Sequence, residues 1–131
     1  MPQHSKADVA DDNAYWDGKV GTVYLLHFDR PVGTARGPVQ HYLGWAYDLE
    51  GRIQRHRRGL SNSAALCRSA QRQGIGFRVV RTWPGLTRDD ERAMKRARKR
   101  FTLCPEPECR EQTTAMYKRD WQQRKARCAT A

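Results

Sequence analysis

The pattern of apolar and polar positions predicts three strands. Residues 19–28, KVGTVYLLHF, and residues 39–47, VQHYLGWAY, are rich in β-branched and aromatic side chains. The stretch between them, 29–38, contains two glycines and two prolines and predicts a loop, so the two runs are expected to pair as a hairpin. Residues 76–83 alternate and predict a third strand, which the sequence PGL at 84–86 is expected to end.

Helix signals follow the second strand. Asp48 is suited to cap the N-terminus of a helix over 49–58, because its short side chain can accept a hydrogen bond from a free backbone N–H of the first turn. A second helix is expected to end at Gln73, with Ser61 or Ser63 as its N-cap.

Two further helices are predicted after the third strand. Thr87 and Asp90 resemble a capping box for a basic helix over 88–101. Residues 111–127 predict a last basic helix, which is expected either to contact DNA or to dock on the domain. The order of elements predicts a small α/β domain of the layered α+β kind, with a three-stranded, mainly antiparallel sheet flanked by helices.

Charge and length refine this prediction. The chain has 131 residues and a formal net charge of +11, and residues 52–100 carry 15 basic side chains against three acidic ones. A basic surface concentrated in one segment favours a nucleic-acid partner over a merely solvated surface, so DNA is the expected partner. We divide the chain into a polar lead (1–17), a folded domain (18–103) and a basic extension (104–131).

The cysteines and the apolar content indicate location and metal chemistry. No stretch approaches 18 apolar residues, so no membrane span is expected, and reduced thiols in a cytoplasmic protein are expected instead. The CPEPEC segment places Cys104 and Cys109 at a spacing that could bind Zn²⁺ together with Cys128 and either Cys67 or a histidine. Because the sequence contains no second such pair, a zinc site is a less favoured prediction.

The helix over 49–58 points two polar residues inward. At about 100° per residue, Leu49, Arg52, Ile53 and His56 share one arc of about 100°. Leu49 and Ile53 must face the core, so Arg52 and His56 are expected to lean toward the sheet. An inward-facing arginine needs an anionic partner, either a carboxylate of the chain or a phosphate ligand, and few acidic residues are near.

Three segments resemble the motifs of the GIY-YIG nucleases. Residues 22–24 (TVY) stand in the place of GIY, residues 42–44 (YLG) in the place of YIG, and residues 48–56 (DLEGRIQRH) are similar to the run that carries the family's arginine and histidine. Glu91 follows the third strand on a helix, as in the family. The resemblance covers about residues 20–103 and implies a metal-dependent DNA endonuclease.

The resemblance implies a role for each site residue. Tyr24 and Tyr42 would project into a cleft, and Tyr42 is the first choice for taking a proton from the attacking water. Arg52 would hold the scissile phosphate and offset charge in the transition state, while His56 would orient groups or relay protons. Glu91 would bind a single Mg²⁺ or Mn²⁺.

The same resemblance extends to backbone packing and to substrate contacts. Gly44 would let its strand pass close to neighbouring backbone. Basic residues of two helices would follow the phosphate backbone of DNA: Arg55, Arg57, Arg58, Arg92, Lys95, Arg96 and Lys99.

Two alternatives remain open beside the nuclease. Many family members carry an asparagine after the glutamate, whereas Asn13 and Asn62 are the only asparagines here, which favours a catalytically impaired nucleic-acid-binding module on the same fold. The charge and the CPEPEC segment also suit a zinc-stabilised RNA-associated protein. A bacterial or mobile-element context is expected, a protein partner could supply specificity, and the sequence leaves the oligomeric state open.

Overall fold

A three-stranded antiparallel sheet organises the protein, whose computed structural model describes residues 13–60, 62–97 and 100–130. The strand order is β2-β1-β3, so β1 is central and pairs with both neighbours. The strands are β1 (Gly21–Val32), β2 (Val39–Ala46) and β3 (Phe77–Leu86). The predicted three-stranded α+β architecture is therefore confirmed, and the sheet is antiparallel throughout.

Helices follow and flank these strands. They are α1 (Asn13–Trp16), α2 (Leu49–Arg58), α3 (Ala65–Arg72), α4 (Arg88–Ala97), a 3-10 turn (Arg100–Leu103) and α5 (Pro107–Thr130). No helix among the described residues is both long and apolar enough to cross a membrane.

The central strand is buried on both faces. Alternate side chains of a strand point to opposite faces, so Tyr24, Leu26 and Phe28 pack on one side with α2 and α3. Val23 and Leu25 pack on the other side with the 3-10 turn and the start of α5. We call these sides the first face and the second face of the sheet. Each face carries its own apolar cluster, and each proves to carry its own candidate site.

Two strands run further than the sequence indicated. β1 continues to Val32 across a bulge that follows His27, so the predicted loop over 29–38 is confined to residues 33–38. β3 continues through Pro84 to Leu86, so PGL does not end the strand. β3 is an edge strand, where a proline that cannot donate a ladder hydrogen bond is tolerated.

The capping predictions for α2 and α4 are confirmed. The Asp48 side chain accepts a hydrogen bond from the Gly51 N–H, and α2 ends at Gly59 in the left-handed conformation (φ 63°), which glycine adopts without strain. The Thr87 N–H donates to the Asp90 carboxylate, and the Asp90 N–H donates to the Thr87 hydroxyl. This reciprocal pair fixes where α4 begins.

Three helix boundaries differ from the sequence prediction. α3 begins at Ala65 without a side-chain cap, because the Ser63 hydroxyl donates to a preceding carbonyl instead; Ser61 lies outside the described residues. α4 ends at Ala97. α5 begins at Pro107, inside CPEPEC, where proline suits the first helical position because its missing N–H would have no partner there.

Candidate active site and candidate metal centre

The hairpin and two helices bring five predicted site residues together on the first face. We call this group the tyrosine–arginine cluster: Tyr24, Tyr42, Arg52, His56 and Glu91. The Tyr24 hydroxyl lies 2.6 Å from His56 Nε2, and the ring centroids of Tyr42 and His56 are 5.7 Å apart. The inward lean predicted for Arg52 and His56 is confirmed, since His56 is buried and Arg52 is half-buried.

Burial divides the cluster into an inner and an outer part. Tyr24 and His56 are 0% and 1% exposed, whereas Tyr42 and Arg52 are half-buried. Tyr24 therefore presents no surface to a ligand, which differs from the expectation that both tyrosines project into a cleft. Tyr42 and Arg52 form the part of the cluster that a substrate can reach.

Arg52 connects the two tyrosines. Its positive charge acts on both Tyr24 and Tyr42 and lowers the pKa of each hydroxyl, against the rise that burial causes. It also donates from Nη1 to the Asn62 carbonyl at 2.8 Å. These contacts hold a positive charge beside two phenol oxygens at a partly exposed position.

Burial also sets the protonation states. It raises the pKa of Tyr24 far above its usual range, so the Tyr24 hydroxyl stays protonated and can donate to His56 Nε2. Burial and the charges of Arg52 and Arg55 lower the pKa of His56 to about 4, so the imidazole is neutral at pH 7. If Nε2 accepts from Tyr24, the proton is on Nδ1, which is buried and has no partner among the described residues.

Tyr42 and Glu91 influence each other. Burial raises the pKa of Tyr42, the Arg52 charge lowers it, and the negative charge of Glu91 adds to the rise. Glu91 is 8% exposed and pairs with Lys95, whose Nζ lies 2.6 Å from its carboxylate and 5.6 Å from the centroid of the Tyr42 ring. Lys95, a predicted DNA contact, therefore belongs to the edge of this cluster.

Gly44 makes room for the tyrosines. It lies directly opposite Tyr24 in the hairpin register, and an added Cβ would meet the Tyr24 ring at 2.6 Å and the Tyr42 ring at 2.8 Å. The sequence prediction that Gly44 permits close passage is correct in kind, but the close neighbours are side chains rather than backbone.

The remaining predicted DNA contacts fall into two groups. Arg55, Arg58 and Arg96 are exposed. Arg57 stacks over the Phe77 ring at 4.6 Å, and Arg92 pairs with Asp89 at 2.6 Å. Lys99 lies outside the described residues. DNA binding by these residues stays a prediction.

A second group of chemically active side chains lies on the second face. We call it the histidine–cysteine cluster: His27, His41, Cys104 and Cys109. All four residues are buried, and their potential ligand atoms lie within 4.8 Å of one another. β1 supplies His27, β2 supplies its register partner His41, and the segment from the 3-10 turn into α5 supplies both cysteines.

The distances in this cluster converge on one central point. His27 Nδ1 lies 3.1 Å from His41 Nε2, 3.5 Å from Cys104 Sγ and 3.8 Å from Cys109 Sγ, and Cys109 Sγ lies 3.4 Å from His41 Nε2. A ring nitrogen offers one proton or one lone pair, so His27 Nδ1 cannot satisfy three such neighbours by hydrogen bonding. A single cation among the four atoms would satisfy all of them, and the cluster could therefore hold a metal.

The ligand chemistry favours a zinc-type ion over Mg²⁺. Nitrogen and sulfur ligands suit zinc, whereas Mg²⁺ prefers oxygen. The Glu108 carboxylate lies 3.7 Å from His27 Nε2, the ring nitrogen away from the cluster, where ligand histidines commonly face a carboxylate. Burial and His27 lower the pKa of His41 to about 4, which keeps the imidazole neutral as a metal ligand must be.

The sequence prediction for zinc is confirmed in part, because the predicted pair Cys104 and Cys109 belongs to a cluster that could hold a metal. Cys67 is buried on the first face, and Cys128 is exposed near the end of α5, so neither joins Cys104 and Cys109. The other two potential ligands are a histidine pair across the hairpin. The sequence carries a signal for this pair, since each of the two strands predicted to pair contains one histidine.

Comparison with known proteins adds no assignment. No protein-family model, curated protein or solved structure matches this chain. Function is therefore inferred from the residues and their geometry.

Proposed function

We propose that the protein is a metal-dependent DNA endonuclease with a GIY-YIG-type site at the tyrosine–arginine cluster. The observation that carries the proposal is the Arg52 guanidinium, which is half-buried and close enough to Tyr24 and Tyr42 that its charge lowers the pKa of both hydroxyls. A guanidinium at the surface of such a pocket is suited to a phosphate, which it can bind through two parallel hydrogen bonds.

Each chain residue has a role that its surroundings support. Arg52 binds the scissile phosphate and offsets the charge that develops on it. Tyr42, the tyrosine that reaches the surface, would have to be a phenolate to take a proton from the attacking water; the Arg52 charge lowers its pKa toward that form, against the larger rise that burial causes. Tyr24 and His56 act from inside by holding Arg52 and the ring of Tyr42 in place.

Glu91 would hold Mg²⁺ or Mn²⁺. A single carboxylate beside a phosphate-binding arginine fits Mg²⁺, which commonly takes one or two carboxylates and completes its shell with water and substrate phosphate. When bound, the ion supplies Lewis-acid polarisation of the phosphate and lowers the pKa of water. Lys95 now neutralises Glu91, so it must move aside for the ion to bind.

Plasmid nicking tests the nuclease. Pure protein is incubated with supercoiled plasmid and Mg²⁺ or Mn²⁺ over a range of pH. We expect nicking that falls by about 100-fold or more in Arg52→Ala and in Glu91→Ala, because each removes charge stabilisation at the phosphate. Arg72→Ala, which removes an exposed arginine of α3, is the matched control and should nick normally. Absence of nicking under every condition, or nicking that survives both site variants, would overturn the proposal.

The second candidate is a nucleic-acid-binding module that has lost catalysis. The Glu91–Lys95 ion pair favours it, because it occupies the carboxylate that the metal would need. This candidate predicts salt-dependent DNA binding without cleavage, and Lys95→Met would then fail to produce nicking.

We further propose that the ion of the histidine–cysteine cluster is Zn²⁺ in a structural site. With bond lengths of about 2.0–2.1 Å to nitrogen and 2.3 Å to sulfur, a tetrahedral zinc separates its nitrogens by about 3.3 Å and each nitrogen from each sulfur by about 3.6 Å. The nitrogen–nitrogen separation is 3.1 Å, three of the nitrogen–sulfur separations are 3.4–3.8 Å, and all four ligand atoms lie within 4.8 Å of one another. Four protein ligands leave no open position, so the ion serves the fold.

Metal content tests the zinc site. Protein purified without added metal should contain about one zinc per chain, and the Co²⁺-substituted protein should show thiolate-to-metal charge-transfer absorption. Cys109→Ser should lose both signals, whereas Cys128→Ser, a matched change at an exposed cysteine, should keep both. Zinc that is absent, or that is lost equally in both variants, would show that the cluster is not the binding site.

A further inference from the structure

The last helix projects away from the domain. α5 spans 24 residues, about 36 Å at 1.5 Å per residue, and every residue from Tyr117 to Ala129 is exposed. The buried residue near its start is Cys109, a member of the histidine–cysteine cluster. α5 is therefore held at its start, and the side chains of its second half are exposed.

One side of this helix is basic and aromatic. At about 100° per residue, eight exposed residues fall within one arc of about 120°. This basic–aromatic face consists of Arg110, Thr114, Tyr117, Lys118, Trp121, Arg124, Lys125 and Cys128. It holds four of the six basic residues of α5, both of its aromatic residues and none of its three acidic residues. In the described part of the chain, no carboxylate lies within ion-pair distance of these four cations.

The anchor turns this face away from the sheet. Cys109 points into the second face of the sheet, and Trp121, at the middle of the basic–aromatic face, lies about 120° further round the helix axis. Tyr117 and Trp121 are 52% and 65% exposed, which is a large apolar area to leave in water. The face is therefore open to a partner from outside the domain.

The composition of the basic–aromatic face indicates which kind of partner it binds. A second helix or a membrane surface would require a long apolar stripe, whereas Tyr117 and Trp121, four residues apart, are the two large apolar side chains of the face and have cations on both sides. Four cations with no ion-pair partner among the described residues would also repel the same face of a second copy. A polyanion satisfies them, and tyrosine and tryptophan between cations suit contact with sugars and bases.

We propose that α5 is a DNA-binding arm that lays its basic–aromatic face along the phosphate backbone of duplex DNA. The inference rests on the proposed nucleic-acid function and names a surface for it outside the tyrosine–arginine cluster. Contacts to phosphates carry no sequence information, so the arm strengthens binding to any duplex. The histidine–cysteine cluster holds the start of α5 and so fixes the direction in which the arm leaves the domain.

Two double variants with the same charge change test the arm. Arg124→Gln/Lys125→Gln removes two charges from the basic–aromatic face, and Arg119→Gln/Arg127→Gln removes two charges from the rest of α5. Binding of the full chain to a fluorescent 20-base-pair duplex is measured by anisotropy in Ca²⁺ over a range of salt. We expect the first variant to weaken binding about tenfold and to lower the slope of log Kd against log salt by about 2, with the control within about twofold of wild type.

The outcomes separate this inference from the nuclease. Equal effects of the two double variants, or no effect of either, would overturn the arm, provided that circular dichroism and zinc content show both to be folded. Arg52→Ala should abolish nicking and lower the salt slope by no more than about 1, which is the share of its own phosphate contact. If wild type binds through the face but never nicks, the nuclease proposal fails and the arm stands. If sedimentation shows a dimer that the face variant disrupts, a second copy is the occupant and the arm proposal is wrong.

Discussion

Tyr24 and Tyr42 lie on neighbouring strands of one hairpin, yet only Tyr42 reaches solvent. Tyr24 is fully buried and its hydroxyl lies 2.6 Å from His56 Nε2, whereas Tyr42 is half-buried beside Arg52. The resemblance to the GIY-YIG motifs implies that both tyrosines project into a cleft. Their burial indicates that Tyr24 supports the cluster and that Tyr42 is the one able to act on a substrate.

Replacement of each tyrosine by phenylalanine separates these roles. Tyr24→Phe leaves the buried Nε2 of His56 without its partner and should lower the free energy of unfolding by about 1–3 kcal/mol. Tyr42→Phe keeps the ring contacts and should change stability by less than about 1 kcal/mol while lowering nicking by at least about 100-fold. Urea denaturation and plasmid nicking measure the two effects. Equal loss of stability in both variants would contradict the assignment of a supporting role to Tyr24 and a role toward the substrate to Tyr42.

His56 makes stability depend on pH. Its pKa falls from 6.5 to about 4 on folding, so the unfolded chain binds this proton more tightly than the folded one. Above pH 6.5 the histidine is unprotonated in both states and the free energy of unfolding is at its full value. As the pH falls toward 4, protonation of the unfolded chain lowers this free energy by at most about 3 kcal/mol. Urea denaturation between pH 4 and 7 should show this decline in wild type and a smaller one in His56→Gln. Parallel profiles would indicate that other groups, such as His41, account for the pH dependence.

Among the elements, the start of α2 and the start of α4 could be predicted from the sequence. Asp48 and the Thr87–Asp90 pair cap these helices through contacts within one turn, so neighbouring residues alone decide where each helix begins. The extent of β3 could not be predicted in this way, since Pro84 is acceptable only because β3 lies at the edge of the sheet. The helix periodicity of residues 49–58 predicted the inward lean of Arg52.

The histidine–cysteine cluster could not be inferred in the same way. It depends on a hairpin register that pairs His27 with His41 and on the packing of a segment distant in sequence against that hairpin.

Gly44 provides a test at the scale of the hairpin. A methyl group there would meet the rings of both tyrosines at under 3 Å, so Gly44→Ala should lower the free energy of unfolding by about 1–3 kcal/mol and disturb nicking as well. Gly33→Ala is the matched control, because the nearest atom to its added Cβ is 3.6 Å away. Thermal unfolding of the two variants measures the difference. A Gly44→Ala protein as stable as Gly33→Ala would contradict the close packing of the tyrosines.

In the whole molecule, the two candidate metal sites lie on opposite faces of one sheet and should respond independently. If the histidine–cysteine cluster holds zinc as proposed, a strong chelator should lower Tm by at least about 10 °C and reduce the helical signal, since the cluster joins two strands to the start of α5. Removal of Mg²⁺ alone should stop nicking and change Tm by less than about 2 °C. Differential scanning calorimetry and circular dichroism check both statements. A Tm that is insensitive to zinc removal would count against a structural site.

The order in which the chain is made gives the histidine–cysteine cluster a further consequence. His27 lies 77 positions before Cys104 and 82 before Cys109, so both strands of the hairpin are synthesised long before the segment that completes the cluster. Until that segment arrives, the second face of the sheet, with Val23, Leu25 and Leu43, lacks its cover. A partly synthesised chain therefore exposes an apolar surface beside two histidines, and it becomes resistant to aggregation only after Cys104 and Cys109 have left the ribosome.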